Sequence, residues 1–413
     1  MKNPIFSLIS KEKARQNETI NLIASENYVS KNILDATGSI LTNKYAEGYP
    51  NKRYYSGCAI IDQVEEYATK LGRKLFETDH INVQPHSGSQ ANMAVYLSQL
   101  NSGDTVLAMS LASGGHLTHG HKVNFSGKLF NFASYNVNAE NEQLDYNEID
   151  ILANQHKPKM IVAGASAYSR FIDFEKISKI AKDNNAIFFV DMAHIAGLVV
   201  AGLHPNPIPL ADFTSSTTHK TLRGPRGGLV CCRSDFAQKL DKAVMPGSQG
   251  GPLMHVIAAK AIAFEEALKP EFKEYQKQVI QNAKTMCKTF QDLGYHVVSG
   301  GTDNHLFLLN LKKLNKNSTL SADKITGDIV EKTLEKCNIT VNRNCIPFDD
   351  EPPTITSGIR IGTPAITTKG FGEKEVTQIV YWINEAIKKR NDEKFLISLK
   401  NEVIKLCKPF SIY

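Results

Sequence analysis

Between Asp62 and Ala267 the sequence alternates short, unbroken apolar runs with segments of helical period, and few folds accommodate that pattern. Residues 106–109, 160–163, 186–190, 213–214 and 229–232 lack the polar alternation of a half-exposed strand, so both faces of each strand must be buried. Residues 61–76 and 87–100 carry helical spacing. Strand, helix, strand order implies parallel strands joined by right-handed crossovers. The large domain is therefore expected to be α/β, over residues 56–267, with its site at the carboxyl ends of the strands.

After Pro252 the texture changes. Helical patterns at 253–267 and 271–293 precede strand patterns at 295–298 and 305–311. A helix near 322–336, a strand at 358–361 and terminal helices follow. Residues 268–413 read as a smaller α+β domain. Residues 1–55 have few strand signals and read as an arm over the large domain or over a partner subunit. With 413 residues a core of normal size can be buried.

Charge and cysteine content exclude several classes. Forty-eight basic against 42 acidic residues give a net charge of +6, compatible with anionic small molecules and requiring no nucleic acid. Seven scattered cysteines argue against a disulfide framework. Cys231 and Cys232 are adjacent on an expected strand, so they point to opposite faces and cannot share a metal. No apolar run is long enough to span a bilayer, since Asp191 and His194 interrupt the best one. The first thirty residues are polar and charged, and the reduced cytoplasm is the expected compartment.

The chemistry concentrates around Lys220, in Thr217-Thr218-His219-Lys220-Thr221-Leu222-Arg223-Gly224-Pro225. It follows a strand, and the Gly/Pro cluster prevents a helix, so the lysine sits on a turn at a strand end. A lysine held there can bind an aldehyde cofactor covalently; without that context it would be a solvated surface residue. Asp191 ends an apolar strand, where a carboxylate can keep the nitrogen of pyridoxal phosphate protonated, or can simply cap a turn. His194 lies three residues on. His86-Ser87-Gly88-Ser89-Gln90-Ala91-Asn92 opens a helix whose backbone N–H groups suit a phosphate; a plain serine cap is the alternative. Pro246-Gly247-Ser248-Gln249-Gly250-Gly251-Pro252 is a second glycine-rich loop or a hinge. His116, His119 and His121 invite a metal reading, but the cluster has no carboxylate and is flanked by glycines, so no metal is assigned.

Together these blocks resemble serine hydroxymethyltransferase, a fold-type I pyridoxal-phosphate family. The resemblance runs from Asn21-Leu22-Ile23-Ala24-Ser25-Glu26-Asn27-Tyr28, through Leu41-Thr42-Asn43-Lys44-Tyr45-Ala46-Glu47-Gly48-Tyr49-Pro50 and the Lys220 segment, to Gly358-Ile359-Arg360-Ile361-Gly362-Thr363-Pro364-Ala365. It implies that Lys220 carries pyridoxal 5′-phosphate covalently, that Asp191 pairs with the ring nitrogen, and that His116 stacks on the ring. His194 and Ser166 would meet the ring oxygen. Ser87, Gly88, Ser89 and His219 would hold the phosphate, with Tyr45 and Gly251 reaching in from the second subunit of a homodimer. Arg360 and Ser25 would bind the substrate carboxylate, since a bidentate arginine suits a carboxylate. Glu47, with Tyr55, would act near the serine hydroxyl. Leu111, Gly115, His116, Leu117, Asn344 and Thr354 would line a tetrahydrofolate site.

The implied activity is reversible one-carbon transfer between serine and glycine with tetrahydrofolate as carrier. The sequence departs from the family at Ser56-Gly57-Cys58-Ala59, at Met245 and Ser248, and at Pro352-Pro353-Thr354 beside the folate site. Those departures leave open a folate-independent aldolase of 3-hydroxy amino acids. A non-catalytic RNA-binding protein is a third reading, but Lys220, Asp191 and Arg360 are all present and the basic residues are not gathered in one run.

Overall fold

The computed structural model describes residues 3–312, 314 and 324–413. The chain divides into two compact units, one of residues 29–276 and one of residues 3–28 with 277 onward.

The larger unit is built on a seven-stranded sheet: β1 (His80–Asn82), β2 (Thr105–Met109), β3 (Asn131–Tyr135), β4 (Met160–Ala163), β5 (Ile187–Asp191), β6 (Phe213–Thr217) and β7 (Gly228–Cys232). Their spatial order is β1-β7-β6-β5-β4-β2-β3. The neighbours from β6 to β3 are all parallel. Strand β7 alone runs antiparallel, to both β6 and β1, so the sheet is mostly parallel, as expected of this fold class. The cause is the connection. The ten residues from 218 to 227 hold no helix to carry the chain across the sheet, so it turns back beside β6.

Both sheet faces are buried, as the unbroken runs require. Leu107, Met109, Ile161, Phe188, Leu229 and Cys231 belong to the core on one face. Val106, Ala108, Val162, Phe189, Val230 and Cys232 belong to the core on the other. Cys231 and Cys232 do point to opposite faces.

One buried cation fastens the edge of this sheet. Lys260, on the helix Met254–Ala267, is 1% exposed. Its ammonium donates to the carbonyls of Val83 (2.7 Å), Pro85 (3.0 Å) and Gly228 (2.7 Å). Burial pushes its pKa down to about 7 against the pull of Glu65, but three acceptors match the three N–H donors of the charged form.

In the smaller unit, His296–Val297, Leu306–Asn310, Gly358–Gly362 and Asn342–Asn344 form an antiparallel sheet in that order. Ile20–Asn21 pairs in parallel with Ile339–Thr340. Ile20 and Leu22 are fully buried in this unit's core, so residues 3–28 group here rather than with 29–55, whereas the sequence reading kept 1–55 together. The helix expected near 322–336 is Gly327–Lys336; positions 322 and 323 lie outside the described residues.

Replacing Lys260 by Met should lower the stability of the larger unit by about 2 kcal/mol or more, because buried carbonyls lose charged donors. The shift in urea midpoint checks this, and an unchanged midpoint would show that the ammonium contributes nothing net.

Candidate active site at the strand ends

Six of the seven strands run the same way, and most of the chemically capable residues of the larger unit lie in the loops at their carboxyl ends. Ser87, Gly88 and Ser89 follow β1. Leu111, Gly115, His116 and Leu117 follow β2, Ser166 follows β4, Asp191 and His194 close β5, and His219 and Lys220 follow β6. Hydrogen bonds tie these loops together. The Ser166 N–H donates to the Gly114 carbonyl (2.7 Å). The Thr221 hydroxyl donates to the His194 carbonyl (2.9 Å) and accepts from the Gly197 N–H (3.0 Å). Lys220 itself is 8% exposed, too buried for an ordinary surface lysine.

Asp191 is the most heavily engaged carboxylate here. One oxygen accepts from the Asn92 amide (2.8 Å) and faces His119 Nε2 (3.4 Å). The other accepts from the Ala193 N–H (3.0 Å). Burial by itself would raise its pKa, but the hydrogen bond from His119 and the charge of Lys220 hold it below the usual carboxylate range. Gly164, at the end of β4, makes the close approach possible. Its φ is +115°, and a Cβ there would stand 2.0 Å from the Asp191 carbonyl.

Two histidines are kept neutral. Burial lowers His116 to about 4, with Asp191 pulling the other way. Burial, then the charges of Arg226 and Lys220, lowers His219 to about 3. A neutral imidazole can lie flat on an aromatic ring without a desolvated charge.

The loop after β1 has the form of a phosphate cradle. Ser87 caps the helix Gly88–Gln99, its hydroxyl accepting from the Gln90 N–H (3.2 Å). The start of β7 packs against it: the Gly228 N–H donates to the Pro85 carbonyl (3.0 Å), and a Cβ on Gly228 would stand 2.3 Å from the Ser87 carbonyl. Thr217, against Gly88, has its hydroxyl buried with no hydrogen-bond partner, as has His219 at Nδ1. Orphaned polar atoms beside a helix N-terminus are what a bound phosphate completes, so these residues fit pyridoxal phosphate.

Tyr45, Glu47, Tyr55 and Gly251 form a separate patch. The Tyr45 hydroxyl lies 3.4 Å from Glu47 Oε1, and its ring meets Tyr55 edge-on at 5.2 Å. A Cβ on Gly251 would stand 3.3 Å from the Tyr45 ring. Tyr45 and Tyr55 are 57% and 48% exposed. In the smaller unit Arg360 sits on the strand Gly358–Gly362, with Nε donating to Asn342 Oδ1 (3.1 Å). Burial lowers its pKa to about 10, which leaves it charged at neutral pH. The Gly362 N–H donates to the Leu22 carbonyl (2.8 Å), so the segment bearing Ser25 runs beside that strand. Asn344 ends the neighbouring strand, and Thr354 is exposed.

Sequence reasoning assigned no role to Asn92, Thr118, Ser215 or Lys260, all buried. Asn92 lay inside the quoted Ser87 motif; the available signal was a polar residue among Ala91, Ala94 and Val95. Among the described residues, no group of three or more His, Cys, Asp or Glu could hold a metal. No helix there is long and apolar enough to cross a membrane.

The depressed histidines give a pH prediction for the apoprotein. Their folded pKa values lie below the unfolded value of about 6.5, so the stability they contribute is full above that pH. It is lost as pH falls through about 4 and then about 3. The urea midpoint should fall over that interval and fall less steeply in His116→Asn; equal slopes would show that His116 titrates normally.

A model of the family described as serine hydroxymethyltransferase matches residues 1–383 of the chain. The chain therefore belongs to that family of fold-type I pyridoxal-phosphate enzymes, which bind the cofactor on a lysine and use tetrahydrofolate as cosubstrate.

Proposed function

We propose that this member of the serine hydroxymethyltransferase family moves the hydroxymethyl carbon of serine to tetrahydrofolate, giving glycine, 5,10-methylenetetrahydrofolate and water. The observation that carries the reading is a buried Lys220 following β6 and an ionised Asp191 ending β5, neighbouring strands with Asp191 in register with Ser215. Pyridoxal phosphate, when bound, supplies the electron sink for the pair released as the Cα–Cβ bond of serine breaks.

In this reading Lys220 holds the cofactor aldehyde, and its amine is free to take or give a proton once substrate replaces it. Asp191 keeps the ring nitrogen protonated because its own charge is secured by donors. Neutral His116 covers the ring face, and His194 and Ser166 bind the ring oxygen. Ser87, Gly88, Ser89 and His219 hold the phosphate. Arg360 and Ser25 bind the amino-acid carboxylate. Glu47, with Tyr55, carries the proton of the serine hydroxyl as the carbon leaves, and Leu111, Gly115, His116, Leu117, Asn344 and Thr354 receive the folate. The active form is a homodimer in which Tyr45, Glu47 and Gly251 serve the partner's site. The exposed Ile40, Tyr45, Tyr54, Tyr55 and Ile60 support it, since they leave an apolar surface to be covered. A reduced, cytoplasmic setting accords with seven free cysteines, six of them buried.

The deciding experiment measures serine cleavage with and without tetrahydrofolate. Cleavage should depend on folate, and borohydride should fix the cofactor to Lys220. Equal rates without folate would establish the 3-hydroxy amino acid aldolase instead. Glu47→Gln should slow the folate-dependent reaction about 10²-fold, the scale for losing a general acid or base. It should affect folate-free cleavage of allo-threonine less; equal loss in both would detach Glu47 from folate.

Arg360→Lys keeps the charge and loses the planar fork. Serine should bind at least about tenfold more weakly, from charge-assisted bonds worth about 1.5–3 kcal/mol each, while cofactor binding is retained. Unchanged serine affinity would reject the carboxylate role.

A further inference from the structure

The side chain of Asn92 is 1% exposed, and both of its amide protons and its carbonyl oxygen are engaged. Its amide nitrogen donates to Asp191 Oδ2 (2.8 Å) and to Thr118 Oγ1 (2.8 Å). Its carbonyl oxygen accepts from the Ser215 hydroxyl (2.6 Å). Thr118 Oγ1 thus accepts a hydrogen bond from Asn92, which directs its own O–H to donate to His116 Nδ1, 2.8 Å away. That nitrogen also accepts from the Thr118 N–H (3.2 Å). His116 is therefore a pure acceptor at Nδ1 and carries its proton on Nε2. His119 follows the same rule: Nδ1 accepts from the His116 N–H (3.2 Å), which leaves the Nε2 proton facing Asp191. One turn along the helix, the Tyr96 hydroxyl donates to the Thr118 carbonyl (2.9 Å), so Asn92 and Tyr96 grip the histidine loop together.

We propose that Asn92 is a positioning residue that joins the Asp191 carboxylate and, through Thr118, the His116 ring into one hydrogen-bonded unit. The partner of the cofactor's nitrogen and the cover of its ring face are then oriented together, before any ligand arrives. Only a primary amide of this length supplies two donors and one acceptor at these positions. Aspartate would set a second carboxylate 2.8 Å from Asp191, and leucine would leave Thr118 and Ser215 without a buried partner. The proposal rests on Asp191 and His116 as the ring-binding residues.

The network can be tested in the wild-type protein. Nitrogen-15 NMR of the histidines, in apoprotein and cofactor-loaded protein, should show His116 and His119 as neutral Nε2–H tautomers. A proton on Nδ1 of His116 would overturn the proposal. Its consequence is read from pyridoxal-phosphate dissociation constants measured by absorbance titration. Asn92→Leu should weaken binding at least tenfold. Thr118→Val, nearly isosteric and leaving the Asn92–Asp191 bond in place, should alter the His116 nitrogen shifts and weaken binding by a smaller factor, and Thr118→Ser should restore both. Wild-type cofactor affinity in Asn92→Leu, or unmoved His116 shifts in Thr118→Val, would overturn it. Should Asn92→Leu not fold, the two Thr118 variants decide alone. Borohydride fixation at Lys220 in the wild type tests the functional reading separately, because that outcome does not depend on the Asn92 contacts.

Discussion

A carboxylate that stays ionised inside a protein has to be surrounded by donors, and Asp191 is. An amide, an imidazole and a backbone N–H reach its two oxygens. Each comes from a different part of the fold: the helix Gly88–Gln99, the loop after β2, and the turn after β5 itself. The cost of burying that charge is what makes the surrounding arrangement so specific. Remove the helix and Asn92 goes; loosen the loop and His119 goes. Sheet order, with β2, β4, β5 and β6 adjacent and parallel on this side, places all the donors around one point.

The opposite electrostatic problem is solved a few residues away. A phosphate needs positive potential without a competing side chain in its path. Here a helix N-terminus supplies the potential and glycines at 88 and 228 supply the clearance. Lys260 lies behind this loop rather than in it, with its three protons committed to main-chain carbonyls. Its charge serves to hold Val83, Pro85 and Gly228 in place. A hidden cation thus ties the main chain on either side of the Ser87 loop together, while His219 stays neutral. On the proposed reading the two ends of pyridoxal phosphate impose different demands, and strand ends separated by β7 and β6 meet them.

Much of this was legible in the sequence, and the parts that were not share a cause. Unbroken apolar runs identified β2, β4, β5, β6 and β7, because burial on both faces leaves no room for polar alternation. β3 escaped, as Asn131 and Ser134 interrupt it and its faces are only partly covered. The direction of β7 escaped because it is set by what lies between strands. Lys220 and Asp191 were visible because each was read at the end of a strand, and the Ser87 loop because it was read as opening a helix, and that is where the structure has them. Ser25 and Arg360 emerged only from family resemblance, with no local periodicity to mark them.

Asn92 and Lys260 illustrate the remaining limit. Both lie on helices enclosed on more than one side, where apolar residues do not mark a single stripe. Ala91, Ala94, Val95 and Tyr96 are all buried around Asn92, and Ala259, Ala261 and Ala263 are buried around Lys260. In such a helix the usual inference, that a polar residue marks the solvent face, points the wrong way. The residue is inside because three partners wait for it, and those partners are distant in sequence: Ser215 is 123 positions from Asn92, and Val83 is 177 from Lys260. Loss of a buried amide or ammonium with every donor matched leaves several main-chain or carboxylate groups unpaired. In this fold those groups are Asp191 and the main chain beside the Ser87 loop, so the least conspicuous polar residues of the sequence are the ones that hold the conspicuous ones in position.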